Sequence, residues 1–122
     1  MIDKINIDEK FGKFTDHWRP KIVSELNGQE FKLVKIKGEY PWHAHADADE
    51  MFFVWKGEIM LEFRSHTVDL KAGEAIVVPK GVEHRPVADN EAEIFLIEPK
   101  SLNNNGDTDV DEKYDAPNNV WI

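Results

Sequence analysis

The chain has 122 residues, enough for one compact domain and too few for two. Its composition, 41% apolar and 32% charged, suits a folded globule, and the absence of cysteine excludes disulfide scaffolds, thiolate zinc sites, iron–sulfur clusters and thiol nucleophiles. Fifteen basic against 24 acidic residues leave a net charge of −9, which repels nucleic acid and anionic membrane alike. The longest apolar run, Met51 to Trp55, is far short of the about 20 residues of a membrane helix, and the N-terminus lacks a signal-type apolar stretch, so a cytoplasmic protein is expected.

Residues 1–16 read as a short amphipathic lead-in. Asn6 caps a brief helix carrying Ile7 and Phe11, and Gly12 ends it. From residue 17 strand signals recur at short intervals. His17 to Leu26 holds Ile22 and Val23. Asn27-Gly28 is the pair that a type I′ hairpin takes, because both positions need positive φ. Phe31 to Lys37 alternates loosely. Met51 to Trp55 is short enough for a buried strand. Ile59, Leu61 and Phe63 alternate with Met60 and Glu62, as in a half-buried strand, and Val68 and Leu70 alternate likewise. Ala75 to Val78 and Ile94 to Ile97 complete the set. Helical periodicity is absent after residue 15, so the expectation is an all-β antiparallel sandwich or barrel over residues 17–99. From residue 100 the composition shifts to Asn, Gly and acidic residues, which predicts an irregular acidic tail over 100–122. Its apolar end, Val120, Trp121 and Ile122, is expected to fold back onto the barrel or to meet a partner subunit.

Two of the five histidines are His43 and His45. Residues two apart on a strand share a face, so both imidazoles can point at one spot. Glu50 follows just before the apolar strand. Pro79-Lys80-Gly81 suits a tight turn, after which His84 opens the next strand. Three imidazoles and a carboxylate converging inside a small barrel make a first-row transition-metal site. Four protein ligands leave a position open on a five- or six-coordinate ion, as a catalytic metal needs.

The same residues carry a resemblance to the cupin family. The family's first motif is Gly, five residues, His-x-His, three or four residues, Glu, six residues, Gly. Here Gly38 precedes His43-x-His45 by four residues, Glu50 follows after four, and Gly57 after six more. The second motif is Gly, five residues, Pro-x-Gly, two residues, His, three residues, Asn. Gly73, Pro79-Lys80-Gly81 and His84 match it, with Ala88 at the closing position. The resemblance implies a double-stranded β-helix, or jelly-roll barrel. It implies one divalent transition metal (iron, manganese, nickel, zinc or copper) on His43, His45, Glu50 and His84. It also implies a homodimer.

Period-two counting from the ligands predicts a pocket lined by Phe52, Val54, Ile59, Leu61 and Phe63. Arg85 is expected to point away from His84. Tyr40 and Trp42 are out of phase with His43 and are expected on the outer face or at a subunit contact. His66 falls in a hairpin turn and is expected in solvent. Met51, Phe53 and Trp55 make an apolar outer face that a second layer or another subunit must cover. The functional expectation is a metal-dependent enzyme of oxygenase, isomerase or epimerase type on a small-molecule substrate. The alternative is a non-catalytic module that binds metal or a small ligand. No further general acid, base or phosphate loop stands out.

Overall fold

The computed structural model describes residues 2–100, 102, 105, 106, 114, 116, 117 and 119–122. The acidic run between Asp107 and Asp115 lies outside these, apart from Tyr114. A short helix α1 (Ile7–Phe11) precedes seven strands: β1 (Lys21–Leu26), β2 (Gln29–Glu39), β3 (Glu50–Lys56), β4 (Glu58–Phe63), β5 (Thr67–Lys71), β6 (Ala75–Val78) and β7 (His84–Pro99). Asn6 caps α1 by accepting from the Glu9 amide at 3.0 Å. At the β1–β2 hairpin Asn27 has φ 52° and Gly28 φ 80°, the double positive turn that the pair predicts. Among the described residues no helix is long and apolar enough to cross a membrane.

All pairings between the seven strands are antiparallel, in the order β1-β2-β7-β3-β6, with β4 pairing both β5 and β7. β7 organises the barrel. Its 16 residues form one strand where the sequence signals only His84 and Ile94 to Ile97. Its first part pairs with β4, its last part with β3, and β2 runs along both. Between these parts the β2–β7 register slips, from Gly38↔Ala88 to Ile36↔Ala92. Such a bulge turns the strand and strengthens the local twist.

The inner face is apolar. Val34, Ile36, Phe52, Val54, Ile59 and Leu61 are buried there, with Ile94 and Leu96 from β7. A second cluster sits outside the sheet. Phe11 and Phe14 of the lead-in, with Val23 and Leu33, cover Phe31, Trp55 and Phe95. Trp55 also donates to Asp8 of α1 at 2.7 Å. The C-terminus closes back on β1: Ile22 donates to Val120 at 2.7 Å and accepts from Ile122 at 3.1 Å. Part of the apolar outer face is thus covered within the chain. Another part continues across four strands as Phe31, Ile97, Met51 and Val77, aligned by register.

Candidate metal centre

Backbone pairing brings the two histidine segments together. His43 and His84 form an isolated antiparallel bridge, exchanging amide-to-carbonyl bonds of 3.0 and 2.9 Å. Directly opposed residues of such a pair project to the same side. One turn away, the Gly81 amide donates to the His45 carbonyl at 2.8 Å and the Lys80 amide to the Asp49 carboxylate at 2.8 Å. Gly81 has φ +80°, a conformation that glycine adopts without strain. The Pro79–Gly81 turn is therefore stitched to the loop that leads into Glu50.

His43, His45, Glu50 and His84 are all buried, and one donor atom from each lies within 4.8 Å of the others. Nδ1 of His43 faces the Pro41 carbonyl at 2.9 Å, and Nδ1 of His84 the Val82 carbonyl at 2.9 Å. A carbonyl only accepts, so each Nδ1 carries the proton and each Nε2 presents a lone pair. Glu50 Oε1 lies 3.3 Å from Nε2 of His84 and 3.5 Å from Nε2 of His45. Neither contact has hydrogen-bond geometry. Among the described residues, Nε2 of His84, both ring nitrogens of His45 and Glu50 Oε1 have no hydrogen-bond partner. Burying such atoms unpaired is costly. Four converging donors of nitrogen and carboxylate type relieve that cost together by binding one cation, so the residues fit a divalent transition metal.

The electrostatics favour the same state. Burial pushes the His43 imidazole down to about 4, and neighbouring His84 adds to the effect. The ring is neutral and open to coordination at neutral pH. Burial opposes ionisation of Glu50, but His45 and His84, with Glu98 beside it, outweigh burial and hold its carboxyl well below the usual range. Glu98 moves the opposite way. Burial and then the Glu50 charge push it well above its ordinary value, against the pull of Lys32.

A cavity of about 40 Å³ adjoins the cluster, with His43 and Glu50 on one wall and Trp18, Tyr40, Phe52 and Leu96 among the others. All of these side chains are buried. Of the five residues expected to line a pocket, Phe52 stands on this wall. Val54, Ile59 and Leu61 are packed in the barrel core, and Phe63 flanks it with its ring 6.5 Å from that of His84.

Tyr40 corrects the expectation of an outer-face position. It is buried, with its ring 5.1 Å from His43 and 5.0 Å from Trp18. β2 ends at Glu39 and Pro41 follows, so strand parity counted back from His43 fails there. Trp42 does face outward, with Arg64 over its ring at 3.9 Å. Arg85 turns away from the cluster to pair with Glu62 at 2.7 Å. His66 is exposed and stacks on Phe63. His17, which has no partner in the sequence pattern, meets Glu91 at 2.6 Å. Tyr114 of the tail packs edge-on against Trp18 and Tyr40 and donates to the Glu39 carbonyl at 2.9 Å. No sequence signal marks Trp18 or Tyr114. Trp18 has φ +62° and is pinned by its amide to Lys35 at 2.9 Å and its indole to Lys37 at 3.1 Å.

Known proteins resemble this chain in sequence and fold. The family model described as "Cupin domain" matches residues 30–98. The crystal structure of a cupin-2 domain containing protein from Shewanella frigidimarina NCIMB 400 superposes with a TM-score of 0.77 at 49% identity, covering 78% of this chain and 93% of that one. "Uncharacterized protein YdbB" of Bacillus subtilis (strain 168) is 42% identical over 64 residues, 52% of this chain and 57% of its own. "Putative dioxygenase SSO1533" of Saccharolobus solfataricus is 31% identical over 61 residues, 50% of this chain and 16% of its own. The matches thus span little more than half of one curated relative and a small part of the other.

Proposed function

This chain belongs to the cupin family, and we propose that it is a metal-dependent enzyme acting on a small molecule, with one divalent transition metal held by His43, His45, Glu50 and His84. The observation that carries the proposal is the buried convergence of unpartnered donors beside a cavity. A metal bound there supplies Lewis acidity and an open position for an oxygen-donor ligand. The chain does the rest. The Pro41 and Val82 carbonyls fix the His43 and His84 rings, Glu50 contributes the negative charge, and the apolar walls exclude water from the cavity. A ligand there meets the donors at one end and Trp18, Tyr40 and Phe52 around its body. The likeness to SSO1533 supports oxygenase chemistry within the wider set of oxygenase, isomerase and epimerase.

One observation favours a second reading, a non-catalytic metal or small-ligand module. A cavity of about 40 Å³ is well below the roughly 150 Å³ that admits benzene in an engineered apolar cavity. A substrate of that size requires movement of Trp18, Tyr40 or the tail. We also propose a homodimer, through the outer row of Phe31, Ile97, Met51 and Val77. Light scattering then reports twice the 14.1 kDa chain mass.

The test is elemental analysis of untagged protein beside His84→Ala. The expected result is about one equivalent of iron or manganese in the parent and little in the variant. No metal in either, even after reconstitution, overturns the proposal. Nitric oxide titration of the iron(II)-loaded protein then separates the two readings. An adduct supports the enzyme, and none supports the closed module.

A further inference from the structure

The barrel interior holds a second polar cluster that contributes nothing to the cavity wall. Glu30, Lys32 and Glu98 are 1%, 1% and 0% exposed. Lys32 Nζ lies 2.8 Å from Glu98 Oε1 and 3.8 Å from Glu30 Oε1. The 2.8 Å contact is short but poorly aligned for a hydrogen bond. Taking several charges out of water is expensive, and apolar side chains of similar volume generally stabilise an interior as well or better. Stability alone therefore gives no reason for these charges at the centre of an apolar barrel.

Their placement does. Glu30 and Lys32 are two apart on β2 and share its inner face. Glu98 of β7 pairs directly with Glu30, and the Met51↔Ile97 pairing sets Glu50 of β3 on the other flank of Glu98. By register, Glu98 thus stands between β2, whose Lys32 ammonium lies 2.8 Å from its Oε1, and the inner-face Glu50 of β3, and neither Glu98 oxygen has a hydrogen bond of its own among the described residues. Glu50 is the one carboxylate of the donor cluster, and its Oε1 is already turned toward His45 and His84.

We infer that Lys32 and Glu98 are positioning residues for the metal centre: Lys32 anchors Glu98, and Glu98 fixes the orientation of the Glu50 carboxylate toward the three imidazoles. The inference rests on the metal-binding reading of the four donors. Neither residue touches the cavity, so both act through Glu50. Partners of this kind typically change metal affinity 10–100-fold when lost.

The test removes both partners together. Lys32→Met/Glu98→Met takes away the ammonium and the carboxyl that faces it, so neither is left buried without the other, and the cobalt bands report the orientation of the remaining donors. Cobalt(II) affinity is measured by chelator competition, the visible bands of the loaded protein report coordination, and melting of the metal-free protein reports the fold. The expected result is a fold retained, an affinity lowered about 10–100-fold and shifted cobalt bands. Lys32→Gln/Glu98→Gln, closer in volume, is read the same way should the apolar pair fail to fold, with a loss of about tenfold. Cobalt affinity and bands within twofold of the parent in a folded pair overturn the inference and leave the metal reading intact. A parent that takes up no cobalt overturns both, and the two failures are distinct because the second appears before any substitution.

Discussion

Two polar clusters share one apolar barrel, and they solve burial differently. Glu30, Lys32 and Glu98 carry opposite charges and compensate one another within the chain. His43, His45, Glu50 and His84 offer lone pairs and a carboxylate oxygen toward a common point, and much of that offer is unmet. The first cluster sets an ammonium against carboxyls, although Lys32 Nζ and both Glu98 oxygens lack a hydrogen bond among the described residues. The second has the donor set of a site that could hold a cation. The contrast is between charges that face a counter-charge of the same chain and donors that face one another across a common point.

The largest expected effect comes from breaking the self-compensated cluster on one side only. Lys32→Met takes away the ammonium that faces both Glu98 and Glu30, so Glu98 must either stay buried as an unpaired charge or take up a proton, which its raised pKa favours. A broken buried pair of this type costs about 3–5 kcal/mol. Urea unfolding of the metal-free protein at neutral pH measures the loss. A loss below about 1 kcal/mol would show that water or relaxation already screens Glu98.

The two clusters also differ in how far the sequence reveals them. The donors are legible because each sits in a local pattern with its own geometric consequence. His43 and His45 share a face, Pro79–Gly81 makes a turn, and Glu50 heads an apolar strand. The hairpin at Asn27-Gly28 and the Asn6 cap are legible for the same reason: their requirement is local. The charged cluster is not. On β2, Phe31 and Leu33 face one side while Val34 and Ile36 face the other, and both sides are covered. Alternation then no longer tells inside from outside, and Glu30 and Lys32 read as ordinary solvent-facing charges. Glu98 gains its meaning from pairing with β2 and β3, both distant in sequence. The polar stretch from Arg85 to Glu93 likewise hides the continuity of β7. Tyr40 escapes parity counting because Pro41 interrupts the strand, and Trp18 because its position depends on a left-handed backbone held by β2.

The second prediction uses pH. The buried His43 ring stays neutral down to about 4, while in the unfolded chain it titrates near 6.5. Below 6.5 the unfolded state therefore binds a proton that the folded state refuses. The His43 contribution to stability is fully present above pH 6.5 and is lost as pH falls toward 4. The shift corresponds to about 3 kcal/mol. Glu98, raised by burial, acts with the opposite sign over part of this range. The measurement is accordingly the difference between the metal-free parent and His43→Gln, unfolded in urea at pH 7 and pH 4.5. The parent should lose more stability than the variant. Equal losses would mean that the His43 ring reaches water more freely than its burial implies.

The smallest effect is the most direct test of the contrast, because it reverses the usual sign of a core substitution. Both ring nitrogens of His45 are buried without a partner. Nε2 faces Glu50 Oε1 at 3.5 Å without hydrogen-bond geometry, and Nδ1 meets no partner among the described residues. Leucine is close in volume and has no polar atom to satisfy. His45→Leu should therefore leave the metal-free protein more stable by about 1 kcal/mol, since an unsatisfied buried polar group costs about 1–3 kcal/mol and repacking takes back part of the gain. For a chain of this size that raises Tm by roughly 3–5 °C. The same variant should lose metal binding, so that metal added in excess stabilises the parent and leaves His45→Leu unmoved. A metal-free His45→Leu protein that melts below the parent would show that His45 serves the metal-free fold.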